Sequence, residues 1–189
     1  RQEDPSVTWD DLVIYKADLA AAYTRVGFRA EDVRKMAVEL TEDMVMFFLC
    51  GHFGWTGLPA AFQTCTRAIV WELNHGLHKL LGMARMYVDD ILGVCLRKNL
   101  DSELAKVVAV CTGLLGEDAI ADAKTESGRR LTVIGYVIDL DAKMVSIAER
   151  NALRALHGYM IIPLNEPVPV PAVQRLASWG SRYGKVCRY

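Results

Sequence analysis

The chain has 189 residues, 52% of them hydrophobic and 24% charged, a composition that suits a globular domain with a core of its own rather than a disordered or fibrous segment. A formal net charge of -1 argues against a uniformly basic nucleic-acid binder, and the longest apolar run, residues 44–50, is far too short to cross a bilayer. Cys50, Cys65, Cys95, Cys111 and Cys187 are odd in number and scattered through apolar runs, as reduced thiols are, and no pair has zinc-finger spacing near His75 and His78. With no charged-then-apolar leader, the expected location is intracellular and not secreted. The charge is uneven. Residues 1–18 hold five acids against Arg1 and Lys16, whereas residues 171–189 hold Arg175, Arg182, Lys185 and Arg188 with no acid. The basic end is the candidate surface for a nucleic-acid backbone.

In chain order, residues 12–17 predict a short strand ending at Asp18, and residues 36–40 and 44–50 predict a hairpin turning at Thr41-Glu42-Asp43. A glycine-rich loop carries Gly51, Gly54 and Gly57. Pro59 then opens a helix with Phe62, Cys65, Thr66, Ile69 and Leu73 on one face, which frays near Asn74-His75-Gly76. Two β-prone runs, residues 83–88 and 91–96, flank Asp89-Asp90 and predict a hairpin with those aspartates as its turn. A helix over residues 102–115, started by Asp101 or Ser102, turns Leu104, Val107, Val108, Cys111 and Leu115 inward. A strand follows over residues 131–139, then a turn at Asp139-Leu140-Asp141-Ala142, a strand over 144–147 and a helix over 149–159. Pro163, Pro167, Pro169 and Pro171 make a stiff linker before a last helix over residues 172–186. On that helix Val173, Leu176, Ala177, Gly180 and Gly184 share one face. Arg175, Trp179 and Arg182 share the other, which suits either a nucleic-acid backbone or plain solvent.

Adjacent carboxylates at the tip of an apolar hairpin, in Tyr87-Val88-Asp89-Asp90, point to divalent-metal and phosphate chemistry, because their repulsion raises one pKa unless a cation neutralises it; the other reading is an ordinary Asp-containing turn. Turn chemistry alone would prefer Asp-Gly or Asn-Gly. Two-metal phosphoryl transfer needs carboxylates from separate strands, and Asp18, at the end of another apolar run, is placed to supply one. Taken alone, Asp18 also suits an ordinary strand end. No Walker loop or Gly-x-Gly-x-x-Gly is present.

Three segments resemble, in order, the palm motifs of retroviral and retrotransposon reverse transcriptases: Lys16-Ala17-Asp18-Leu19-Ala20-Ala21-Ala22-Tyr23, Gly54-Trp55-Thr56-Gly57-Leu58-Pro59-Ala60-Ala61-Phe62-Gln63 and Tyr87-Val88-Asp89-Asp90. Lys124, in Asp122-Ala123-Lys124-Thr125, resembles the family's motif lysine, and Val133-Ile134-Gly135-Tyr136-Val137-Ile138 its primer-grip region. The resemblance covers nearly the whole chain. It implies an α+β polymerase palm, a ferredoxin-like antiparallel sheet backed by helices, with the start of a helical thumb. Residues 1–160 would be palm with a remnant of the fingers, and residues 161–189 the proline-rich connection and first thumb helix.

The same resemblance implies an RNA-directed DNA polymerase that extends a primer 3′-hydroxyl. Asp18 and Asp89 would bind two Mg2+ ions, with Mn2+ as the alternative, Asp90 would be a supporting carboxylate, and Lys124 would protonate the pyrophosphate leaving group. Tyr23 resembles the steric gate that leaves no room for a ribose 2′-hydroxyl, although by itself it also reads as a core tyrosine. Gly54 and Gln63 would lie against the nucleotide, and Tyr87, Gly135, Arg175, Trp179 and Arg182 against nucleic acid. The implied partners are an RNA or DNA template with its primer and deoxynucleoside triphosphates, in a cytoplasmic particle or the nucleus, with no membrane. RNase H and the other polyprotein domains are expected outside this chain.

Phe53 stands where retroviral enzymes commonly carry glutamine, which leans toward a retrotransposon lineage of the tyrosine-recombinase (DIRS-like) kind. Only seventeen residues precede Asp18, so most of the fingers are expected to be missing and the isolated segment inactive. The rival from another class is a catalytically inactive nucleic-acid-binding remnant. RNA-dependent RNA polymerases usually carry Gly-Asp-Asp and a polar gate, and an RNA-recognition module would need stacking rings where Asp89 and Asp90 stand.

Overall fold

In the computed structural model, which describes residues 6–163 and 166–184, contacts divide the chain into two compact units, Asp11–Ser127 and Arg1–Asp10 with Gly128–Tyr189. The palm segment expected over residues 1–160 draws on both.

The first unit holds strands β1 (Leu12–Asp18), β2 (Ala37–Thr41), β3 (Met44–Phe47), β4 (Met83–Tyr87), β5 (Asp90–Leu96) and β6 (Glu126–Gly128), with helices α1 (Ala30–Val33), α2 (Leu58–His75) and α3 (Leu100–Leu115). Four strands form a sheet in the order β4-β5-β1-β6, with β5 antiparallel to both β1 and β4. Leaving aside the β2–β3 hairpin, β1-α2-β4-β5-α3-β6 is the ferredoxin-like β-α-β-β-α-β order. The α+β class and the antiparallel sheet backed by helices are as expected.

Side chains alternate across a strand, so Val13, Tyr15 and Ala17 share one face with their cross-strand partners Cys95, Gly93 and Ile91. From α2, Phe62, Ile69 and Leu73 join that core, and from α3, Val107, Val110 and Cys111. Burying each large apolar side chain contributes roughly 1.5–3 kcal/mol. The other face of β1 carries Lys16 and Asp18. The Tyr15 ring lies over Gly93, where an added Cβ would strike it, so this strand position requires glycine. Burial, reinforced by the charge of Glu103, pushes the Tyr15 hydroxyl well above its ordinary pKa, and it has no hydrogen-bond partner among the described residues.

Several expectations shift here. Helix α3 begins at Leu100, after Asn99, so Asp101 and Ser102 lie in its first turn rather than starting it. The tip of the β4–β5 hairpin is Val88-Asp89, not Asp89-Asp90, because Asp90 pairs with both Tyr87 and Asp18 and so belongs to the ladder. Val88 consequently sits at φ 56°, a left-handed conformation costly for a β-branched residue. In α3, Val108 is 42% exposed and Val110 takes its place in the core. Glu103 is fully buried there, accepting hydrogen bonds from the Leu81 and Gly82 amides at 2.8 and 3.1 Å. The β2–β3 hairpin forms, but Thr41 belongs to its first strand and its second strand ends at Phe47 rather than at residue 50.

The second unit is an antiparallel meander of β7 (Arg130–Val133), β8 (Tyr136–Asp139) and β9 (Met144–Ile147), followed by α4 (Glu149–Met160) and α5 (Val170–Tyr183). Arg129 fastens the early residues here, donating to the Trp9 carbonyl at 2.7 Å and to Asp141 at 2.6 Å. The single strand expected over residues 131–139 is a hairpin: Val133 pairs with Tyr136 across Ile134-Gly135, whose φ values are 51° and 81°. Two consecutive left-handed residues match the twist of a two-residue hairpin turn, and glycine takes the second. The final helix begins at Val170 rather than Ala172. Its expected end at Val186, with Lys185, Cys187 and Arg188, lies outside the described residues.

Candidate active site

Strand pairing brings the acids together. Asp18 ends β1, and Asp90 opens β5 directly opposite it. Asp89, in the turn, accepts the Leu19 amide through its backbone carbonyl at 2.9 Å. On the other flank the Ala121 amide donates to the Asp18 carbonyl and the Ala20 amide to the Ala119 carbonyl, both at 2.9 Å. The end of β1 is thus held from two sides. Lys124 donates to Asp18 Oδ2 at 2.6 Å, its ammonium largely exposed and the carboxylate largely covered.

Asp18, Asp89 and Lys124 line an open cavity of about 340 Å3 whose other walls include Tyr23, Phe53 and Val88. Tyr23 stands edge-on to both Phe53 and Phe62, with ring centroids 5.3 Å apart in each pair. Phe62 belongs to the core, so Tyr23 is a half-buried wall residue backed by it. Phe53 is 88% exposed.

Burial raises the Asp90 pKa above its ordinary value, and the charges of Asp89 and Asp18 add to it. Lys124 is raised by its hydrogen bond to Asp18 and by attraction to all three carboxylates, so it stays protonated at neutral pH. Negative charge is concentrated at this edge and met by Lys124 and, toward Asp90, by Lys16.

The donors are all carboxylate oxygens, the chemistry that Mg2+ takes. Of the three expected metal ligands, Asp18 and Asp89 line the cavity and Asp90 does not. Among the described residues no three His, Cys, Asp or Glu converge into a group that could hold an ion unaided. One or two carboxylates completed by water and phosphate oxygens is nonetheless how Mg2+ commonly binds, so the donor set fits it.

Of the expected nucleotide-binding residues only Tyr23 reaches the cavity; Gly54 lies in the loop before α2, and Gln63 is exposed on α2. Tyr87 is exposed at the end of β4. Gly135, Arg175, Trp179 and Arg182 belong to the second unit. There Arg175 is exposed, while Trp179 is partly buried, its ring lying where a Cβ on Gly158 would stand.

Arg25 was not legible as a site residue. It donates from Nε to the Ala20 carbonyl at 2.7 Å, from Nη1 to the Leu115 and Glu117 carbonyls at 3.1 and 3.0 Å, and from Nη2 to the Asp118 carbonyl. It therefore staples the loop after α3 to the end of β1. No local pattern announces this, since three of its four acceptors lie some ninety residues away.

No protein-family model matches the chain, and no curated protein matches it. Solved structures do. The foamy viral protease-reverse transcriptase in complex with double-stranded DNA superposes with a TM-score of 0.66 at 16% identity, over 90% of this chain and 27% of that one. The foamy viral protease-reverse transcriptase in complex with an RNA/DNA hybrid gives 0.64 at 12% identity, over 90% of this chain and 21% of that one. The chain has a reverse-transcriptase-like fold and spans about a quarter of the length of these neighbours.

Proposed function

We propose that this chain is the palm and first thumb helix of an RNA-directed DNA polymerase from a retrotransposon polyprotein, transferring deoxynucleotides to a primer 3′-hydroxyl. The observation that carries this reading is the cavity in which Asp18 and Asp89 meet Lys124 and Tyr23 within a reverse-transcriptase-like fold. Mg2+ ions held by Asp18 and Asp89, with Asp90 in support, would supply charge neutralisation at the attacking and leaving oxygens. The protein's own work is then positioning and electrostatics. Tyr23, backed by Phe62, walls the cavity, and in this reading its ring would be the gate that excludes a ribose 2′-hydroxyl. Lys124 Nζ carries a proton beside the carboxylates and is the group that can release one to departing pyrophosphate.

The partners under this reading are a primed RNA or DNA template and deoxynucleoside triphosphates, and the setting is a cytoplasmic particle or the nucleus. Among the described residues no helix is long and apolar enough to cross a membrane. The DIRS-like lineage rests on Phe53 alone.

Primer extension on poly(rA)/oligo(dT) with dTTP and Mg2+, with the chain joined to a fingers segment, tests the reading. Extension that disappears in Asp89→Asn supports it, and equal extension by Asp89→Asn refutes the site. The second reading, an inactive nucleic-acid-binding remnant, is favoured by the lack of a three-ligand acidic group among the described residues. It predicts primer–template binding with no synthesis.

A further inference from the structure

The β7–β8 turn is held from two helices. Its Gly135 carbonyl accepts the Ala148 amide at 3.0 Å and Asn151 Nδ2 at 3.4 Å, both from the start of α4. Its Ile134 carbonyl accepts Arg182 Nη2 at 2.5 Å, from the end of α5. The contact is reciprocal, because the Tyr136 hydroxyl donates to the Arg182 carbonyl at 2.7 Å. The guanidinium also lies 5.9 Å from the Tyr136 ring centroid and 5.7 Å from that of Tyr183, and the two rings meet edge to face at 6.0 Å. Cation–π attraction and a charge-assisted hydrogen bond therefore act on one side chain. A phosphate-binding arginine keeps its planar fork free for a bidentate anion, whereas this one is committed to a carbonyl and two aromatic faces.

We propose that Arg182 is a positioning residue that locks the Ile134-Gly135 turn to α5, so that turn and helix present themselves to a primer terminus as one body. This rests on the polymerase reading for what the turn meets, not for the lock itself.

The test uses the whole chain and a fluorescein-labelled primer–template, with anisotropy measured from 50 to 200 mM KCl and hydrogen exchange followed at the Ala148 amide. Arg182→Ala is expected to speed that exchange about tenfold, the scale of one net hydrogen bond to a charged donor. Tyr136→Phe, which removes only a hydroxyl, should speed it less but in the same direction. Arg182→Gln removes the charge and should leave the slope of log affinity against log salt unchanged, while primer–template affinity falls and Mn2+ binding at Asp18 and Asp89 stays as in wild type. A slope smaller by about 0.9, one phosphate contact, with exchange unaltered in Arg182→Ala, would overturn the lock and make Arg182 a direct contact. If wild type binds no primer–template even when joined to a fingers segment, the polymerase reading fails, and unchanged or faster exchange still decides the lock.

Discussion

Arg25 is where the staple between α3 and the end of β1 can be broken by one substitution. Of its four carbonyl acceptors, Ala20 and Leu115 are part-buried, and Glu117 and Asp118 are exposed. Hydrogen bonds from a charged donor contribute about 1.5 kcal/mol or more each when shielded, and about 0.5 each is reasonable for the two in solvent. The sum is about 4 kcal/mol. Fixing a long arginine side chain costs up to about 2 kcal/mol of rotamer entropy, so Arg25→Ala should destabilise by about 2 kcal/mol. In a chain of 189 residues that lowers Tm by about 4–8 °C. Arg25→Lys should recover less than half, because one ammonium cannot span four acceptors. Urea unfolding followed by far-UV circular dichroism reads both variants. Since Ala119 and Ala121 pair with the end of β1, the same change should also loosen Asp18 and Lys124 and slow extension more than it weakens template binding. A loss below about 0.5 kcal/mol, within the usual range of surface substitutions, would refute the staple.

Other consequences are equally direct. Gly93→Ala should cost about 1–3 kcal/mol through collision with the Tyr15 ring, and much less in a Tyr15→Leu background, measured as a double-mutant cycle. Asp90 has a folded-state pKa above its unfolded value, so its ionisation penalises the fold as pH rises from about 3.8, and the penalty is complete above the raised pKa. Asp90→Asn should therefore unfold at higher urea than wild type at pH 7 without divalent ions, the advantage vanishing near pH 3.8. An unchanged gap across that range contradicts the charge crowding. Tyr23→Ala should lower the preference for deoxynucleotides over ribonucleotides by on the order of tenfold or more in single-nucleotide incorporation, while a retained preference returns Tyr23 to a core role.

Features carried by local pattern were readable in the sequence. The apolar run through residues 12–17 and the apolar stripe of α2 placed β1 and its covering helix, and with them Asp18 at a strand end. Asp89 followed from its place between two β-prone runs, but the turn was misplaced by one residue because pairing of Asp90 with Asp18 depends on register between distant strands. The continuous β-prone run over residues 131–139 concealed a hairpin whose only local mark is Gly135. Glu103, Arg25 and Arg182 were illegible as structural residues for a common reason. Each is held by backbone groups far away in sequence, which no periodicity encodes. Gly54 and Gln63 lie in the segment that resembles a palm motif, yet they sit outside the cavity that the neighbouring Phe53 lines.

Under the proposed function Asp18 and Asp89 form a divalent-cation site, with Lys124 as the competing charge on Asp18. Mn2+ titration of the whole chain, followed by electron paramagnetic resonance in the presence of dTTP and primer–template, measures this directly. Wild type should bind Mn2+, Asp18→Asn with Asp89→Asn should lose that binding, and Lys124→Ala should tighten it. Equal binding by wild type and the double variant, or weaker binding in Lys124→Ala, would contradict the site.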